Sequence, residues 1–193
     1  MTWVRHLMLL TTASLLATGA LAMDRAAYNT ARQRIGADTK VRLEKCRPLS
    51  GNAREVCTKE ARGSAVIAQA DLDALYRPSE QAHFKARVAR ANVAYEVARE
   101  KCDDLAEPTR KVCQKDAKGV HVRAVEDAKV AQVEQRAGDT PAAKSAAVVQ
   151  ARKDAAAERR KADFDAAKAR CDALSGELQT KCVADARRVY APE

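Results

Sequence analysis

Three cysteine pairs, Cys46/Cys57, Cys102/Cys113 and Cys171/Cys182, each enclose ten residues, and this spacing constrains the chain more than any other feature. The surrounding text repeats with them: EKCRPLSGNAREVCTKEAR, EKCDDLAEPTRKVCQKDAK and ARCDALSGELQTKCVADAR. A leucine stands three residues after each first cysteine (Leu49, Leu105, Leu174). An acid, an alanine and a base follow each second one: Glu60-Ala61-Arg62, Asp116-Ala117-Lys118, Asp185-Ala186-Arg187. Agreement at so many offsets marks a tandem repeat of three units.

Between the cysteines of each pair lies a helix breaker: Ser50-Gly51-Asn52, Glu107-Pro108-Thr109 or Ser175-Gly176. Glycine reaches the backbone angles that end a helix, and Pro108 suits the first turn of the next one. Asn52, with Glu55 three residues later, reads as a variant capping box. On both sides Ala, Val and Leu recur at three and four with charges between, the period of an amphipathic helix. Each unit is therefore a helix, a tight turn and a second helix, with one cysteine about a turn from the bend on each arm. A disulfide across the arms fits that geometry, and closing so short a loop contributes roughly 3 kcal/mol. The spacing predicts an all-α fold of three tandem stapled hairpins. Its six helices lie near 24–47, 52–76, 80–105, 109–137, 141–174 and 177–190, in an up-down serpentine. Tyr76-Arg77-Pro78-Ser79 and Ala137-Gly138-Asp139-Thr140-Pro141 join the units, which span 23–78, 79–140 and 141–193. Thr140 with Pro141 reads as an N-cap and first helical residue.

The N-terminus has the pattern of a secretory leader: Arg5 and His6, an apolar stretch from Leu7 to Ala17, then Ala20-Leu21-Ala22 with small residues at the cleavage positions. The expectation is a signal peptide over 1–22, cleaved after Ala22, and a periplasmic protein starting at Met23. No cysteine follows the cleavage point, so lipoprotein processing is not expected. An even cysteine count in an exported chain is a disulfide framework. No later segment approaches a transmembrane span.

Alanine makes up about a fifth of the segment after the leader, and its aromatics are few: Phe84, Phe164, Tyr28, Tyr76, Tyr95 and Tyr190. Alanine forms helix readily but buries little surface. Helices are thus easy to form and weakly held together, which gives the staples their weight. A base precedes each first cysteine (Lys45, Lys101, Arg170) and an acid lies three after each second one. The expectation is an ion pair across the arms of each hairpin.

Little here points to catalysis. Zinc ligands usually stand two to four residues apart, and no C-x-x-C redox pair is present. His83 and His121 fall at no repeated position, and neither a glycine-rich phosphate loop nor a nucleophile elbow occurs. The expectation is a non-enzymatic chain with no metal and no cofactor. The formal net charge of +9 favours polyanions. Its clusters, Arg152-Lys153, Arg159-Arg160-Lys161 and Arg187-Arg188, form a candidate basic surface for anionic envelope polymers, lipid headgroups or another periplasmic protein. Nucleic acid fits the charge but not the compartment, and aromatic stacking platforms are missing.

With the repeat in view, the chain resembles a group of small Ala/Lys-rich exported proteobacterial proteins, sometimes labelled TolA-like envelope proteins. Met23-Asp24 and the EKC-x2-L…C-x2-[DE]-A-[KR] unit carry the likeness over essentially the whole segment after the leader. The resemblance implies an envelope setting and no activity. A fainter one, through Ala70-Asp71-Leu72-Asp73-Ala74-Leu75-Tyr76, is to periplasmic lysozyme inhibitors of the LprI type. It makes an inhibitor or chaperone-like binding module the alternative reading.

Overall fold

The computed structural model describes residues 23–136 and 140–190. The leader expected over 1–22, and 137–139 of the second linker, lie outside the described residues. Six helices follow in order: α1 (Arg25–Cys46), α2 (Gly51–Tyr76), α3 (Glu80–Cys102), α4 (Thr109–Gln135), α5 (Pro141–Cys171) and α6 (Gly176–Tyr190). No strand occurs among the described residues. The expected all-α fold of three stapled hairpins is what forms.

The first arm of each unit stops at its cysteine, up to three residues earlier than the periodicity suggests. The chain tightens there into an i to i+3 turn. Leu49, Leu105 and Leu174 each donate a backbone N–H to the carbonyl of the cysteine three before, at 3.1, 3.0 and 2.9 Å, and this tighter bond closes the helix. The bend then takes two forms. Gly51 and Gly176 adopt φ of 58° and 60°, a left-handed conformation that costs glycine least. The middle unit instead places Pro108 just ahead of α4, where its missing N–H has no helical partner to lose.

Asp24, Ser79 and Thr140 cap α1, α3 and α5 by accepting the N–H of the residue three ahead, at 2.7, 3.0 and 3.3 Å. Thr140 and Pro141 thus act as expected. Asn52 does not. Its side chain leaves its own helix and donates to the Glu100 carbonyl at 3.0 Å, a second donor beside the Asp103 N–H that caps the end of α3.

Cys46–Cys57, Cys102–Cys113 and Cys171–Cys182 are bonded, with Cα separations of 5.6, 5.7 and 5.5 Å. These fall inside the range an unstrained disulfide needs. The first half-cystine of each pair is the largest fully buried side chain of its unit.

Each helix packs only against its neighbours in sequence. The arms therefore form one layer, and every inner helix has two flanks covered and two faces open. Such a layer has seams in place of an enclosed core. Ala61, Ala74, Ala86, Ala128, Ala155 and Ala169 are among the alanines buried in them, whereas Leu72 is the one buried large aliphatic residue among the described residues. Small side chains let helix backbones approach closely, and Gly63 takes this furthest: its Cα lies directly against Val93 of α3.

Candidate functional site

Two kinds of seam alternate along the layer. Seams within a hairpin carry the disulfides, while those between units, α2 on α3 and α4 on α5, carry charge. Lys101 bonds Glu60 at 2.8 Å, and Arg170 bonds Asp116. These are the bases and acids expected to clasp each hairpin shut, but each base pairs with the acid of the preceding unit. The expected clasp is corrected to a tie between units.

Two further pairs recur at the same offsets. Arg90–Asp71 at 2.6 Å corresponds to Arg159–Asp127, the arginine twelve before a first cysteine and the aspartate fourteen after a second. Lys59–Glu96 at 3.5 Å corresponds to Lys115–Asp165 at 3.9 Å. Both inter-unit seams therefore hold the same three rungs. Lys59 also reaches Glu100 at 3.2 Å, and hydrogen bonding to that carboxylate, partly offset by burial, raises its pKa. The residues of the first rung stand beside the cysteines and were legible in the sequence, though not their pairing; the other two needed the alignment carried six to fourteen residues beyond the cysteines.

The rungs divide the candidate basic surface. Arg152 bonds Glu134 at 2.7 Å, Arg159 bonds Asp127, and Arg188 bonds Asp185 at 2.8 Å. Lys153, Arg160, Lys161 and Arg187 are exposed and have no carboxylate partner among the described residues. α6, at 15 residues, is half the length of the 31-residue α5. By the repeat register Tyr190 stands opposite Phe164, so α5 ahead of that point lacks a hairpin partner among the described residues. There Lys153 occupies the repeat position of Tyr28 and Phe84, and Arg160 that of Ile35 and Ala91. Positions that pack in the other units are charged where none of the described helices covers them.

Among the described residues no group of three His, Cys, Asp or Glu is placed to hold a metal. His121 faces Asn92 across the α3–α4 seam at 2.7 Å, with its ring centroid 4.9 Å from that of Tyr95. Burial, with Lys118 nearby, lowers its pKa. His83 is exposed on α3.

An open trough of 1170 Å³ lies on one face of unit 1, floored by α2 and walled by α1 and α3. Ile35, Val66, Ala70 and Ala82 line it. At one end Tyr28 and Tyr76 stack with centroids 4.4 Å apart, and Tyr28 donates its hydroxyl to Asp73 at 2.8 Å. That carboxylate raises the Tyr28 pKa. Gln69 donates to both Tyr28 and Asp73, so the polar groups at this end satisfy one another. Sequence reasoning missed the trough, since no single residue announces it.

Fold and seams define a class, the disulfide-stapled helical-hairpin repeat. No protein-family model, curated protein or solved structure matches the chain.

Proposed function

We propose that this chain is a non-enzymatic periplasmic repeat protein that associates with anionic components of the cell envelope. The observation that carries the reading is the strip of Lys153, Arg160 and Lys161 along α5. These are exposed cations with no carboxylate partner among the described residues, on the stretch of α5 ahead of Phe164 that α6 leaves uncovered. Unpaired cations draw polyanions, whereas rung cations are already neutralised. The leader pattern and the three disulfides support export to an oxidising compartment. No described helix is long and apolar enough to cross a membrane.

The test is co-sedimentation of the chain from Met23 onward with vesicles containing anionic phospholipid, and with zwitterionic controls. Binding should require the anionic lipid, fall with salt and weaken in the K153Q/R160Q/K161Q variant. Equal binding by that variant removes the strip from the reading, and no binding at low ionic strength removes the reading itself.

A second reading, a chaperone-like binding module, is favoured by the open faces, which expose Val66, Val120 and Val149. It requires suppression of client aggregation at near-stoichiometric ratios.

A further inference from the structure

The three units serve as controls for one another, and the trough of unit 1 is where they disagree. Seven residues before the first cysteine and eight after the second, unit 2 places Tyr95 and His121, whose rings meet across the hairpin. Unit 3 places Phe164 and Tyr190 at the same two positions. Unit 1 has Thr39 and Ala65, and both line the trough. Ten before the first cysteine, Asn92 and Lys161 are replaced by Gly36. The concavity exists because unit 1 lacks the pair of rings that its siblings carry.

Gly36 sharpens the point. It lies inside α1 with no positive φ, and a Cβ built on it would meet nothing within 4 Å. Neither backbone conformation nor close packing calls for glycine there. A glycine inside a helix costs about 0.5–1 kcal/mol relative to alanine. What its missing side chain does is widen the trough.

The remaining lining specifies the occupant. The floor is apolar through Ala65, Val66 and Ala70 and turns polar at the tyrosine end, where Gln69 and Asp73 bond Tyr28 and each other. Arg32 on α1 and Lys85 on α3 stand on opposite walls with no carboxylate partner among the described residues, and together they outweigh the single charge of Asp73. Arg32 is four residues beyond Tyr28, and Lys85 six beyond Ser79, which places both cations toward the Tyr28–Tyr76 end. From Tyr28 to Thr39 the α1 wall runs about 16 Å, at about 1.5 Å per residue. A long apolar slot with a few polar groups at one end is the general form of a small-ligand site. We propose that the trough binds an anionic single-chain amphiphile, its tail along Ile35, Val66 and Ala70 in the space the missing rings leave and its acidic head between Arg32 and Lys85. This site is separate from the strip on α5 and does not depend on it, because the tail is held by apolar contact.

Calorimetric titration with dodecanoate, below its micelle concentration, tests the assignment on the oxidised chain from Met23 onward. Dodecanoate should bind with a stoichiometry of one, and should persist at about 1 M salt, where exposed charges are screened beyond about 3 Å. Envelope adsorption through the α5 strip would vanish under that condition, so failures of the two readings are distinguishable. The T39Y/A65H variant, which copies the rings of unit 2 into unit 1, should lose binding. G36L does the same from open space at no packing cost and should also lose it if the first variant folds poorly. R32Q/K85Q should weaken dodecanoate about tenfold or more while leaving dodecanol unchanged. Three results overturn the proposal: no binding by the parent chain, undiminished binding by G36L, or equal affinity for dodecanoate and dodecyltrimethylammonium. A protein captured through the trough by a chain that ignores dodecanoate also overturns it, in favour of a helical partner.

Discussion

Lys101 precedes a cysteine of the second unit, yet its ammonium lies 2.8 Å from the carboxylate of Glu60 in the first. The same reach joins Arg170 to Asp116 between the second and third units. The repeated charges beside the staples are therefore what holds one staple to the next, and cross-linking and charge divide the labour of the fold. Each disulfide closes a hairpin, and the rungs set the register between hairpins. The partners are half-exposed, so each rung contributes about 0.2–1 kcal/mol, and its value lies in orientation more than in strength.

A double-mutant cycle separates the two geometries. Lys101→Ala with Glu60→Ala should show a coupling of about 0.2–1 kcal/mol in thermal unfolding, whereas Lys101→Ala with Asp116→Ala should show none. Reversing charge at Asp116 should shift the melting temperature only slightly; a large fall would mean that the rung is buried, contrary to its exposure of 44%.

Reduction should lower the melting temperature steeply. Each loop contributes roughly 3 kcal/mol in the chain-entropy account, a large share of the roughly 5–15 kcal/mol that a domain commands in total. Replacing both cysteines of one pair by serine should produce about a third of the effect of full reduction. A melting curve indifferent to reductant would overturn the view that alanine seams cannot hold the layer alone.

Two glycines at the same repeat position should respond in opposite directions. A Cβ at Gly63 would overlap Val93 Cγ1, and overpacking of that kind costs about 1–3 kcal/mol. Gly63→Ala should therefore destabilise, and Val93→Ala should rescue it. At Gly119 the nearest atoms are Arg123 Nη2 at 3.5 Å and Asp163 Oδ1 at 4.0 Å, ordinary contacts. Gly119→Ala should stabilise by about 0.5–1 kcal/mol. Denaturant midpoints measure both.

His121 should give stability a dependence on pH. Burial lowers its pKa below 6.5 in the folded chain. Near pH 7.5 the ring is neutral in both states and the effect is absent. As pH falls through about 6.5 the unfolded chain takes up the proton first, so stability declines on acidification. The decline between pH 7 and 5 should be smaller in His121→Gln, and identical slopes would show that the ring is solvated.

Much of this molecule could be read from its residues. The spacing of six cysteines, the breaker between each pair and the helical period on either side dictate three stapled hairpins, because each is a local matter of a dozen residues. The thin core was equally legible, as alanine cannot bury what it does not possess. The trough was not legible: it is an absence, visible only when Thr39 and Ala65 are set beside Tyr95 and His121 in the folded repeat. Nor could the basic clusters be divided, since Arg152 and Lys153 are neighbours in the chain but only Arg152 meets an acid.

What the sequence determined by itself was which helices form and which pairs of arms are tied covalently. The tertiary structure alone decided which flank each charge faces. Successive side chains on an α-helix diverge by about 100°, a consequence of 3.6 residues per turn. Lys101 therefore leaves the face that carries Cys102 and meets Glu60, 41 residues back, in place of the acid on its own hairpin. The staple and the rung are adjacent in sequence and serve different neighbours for that reason.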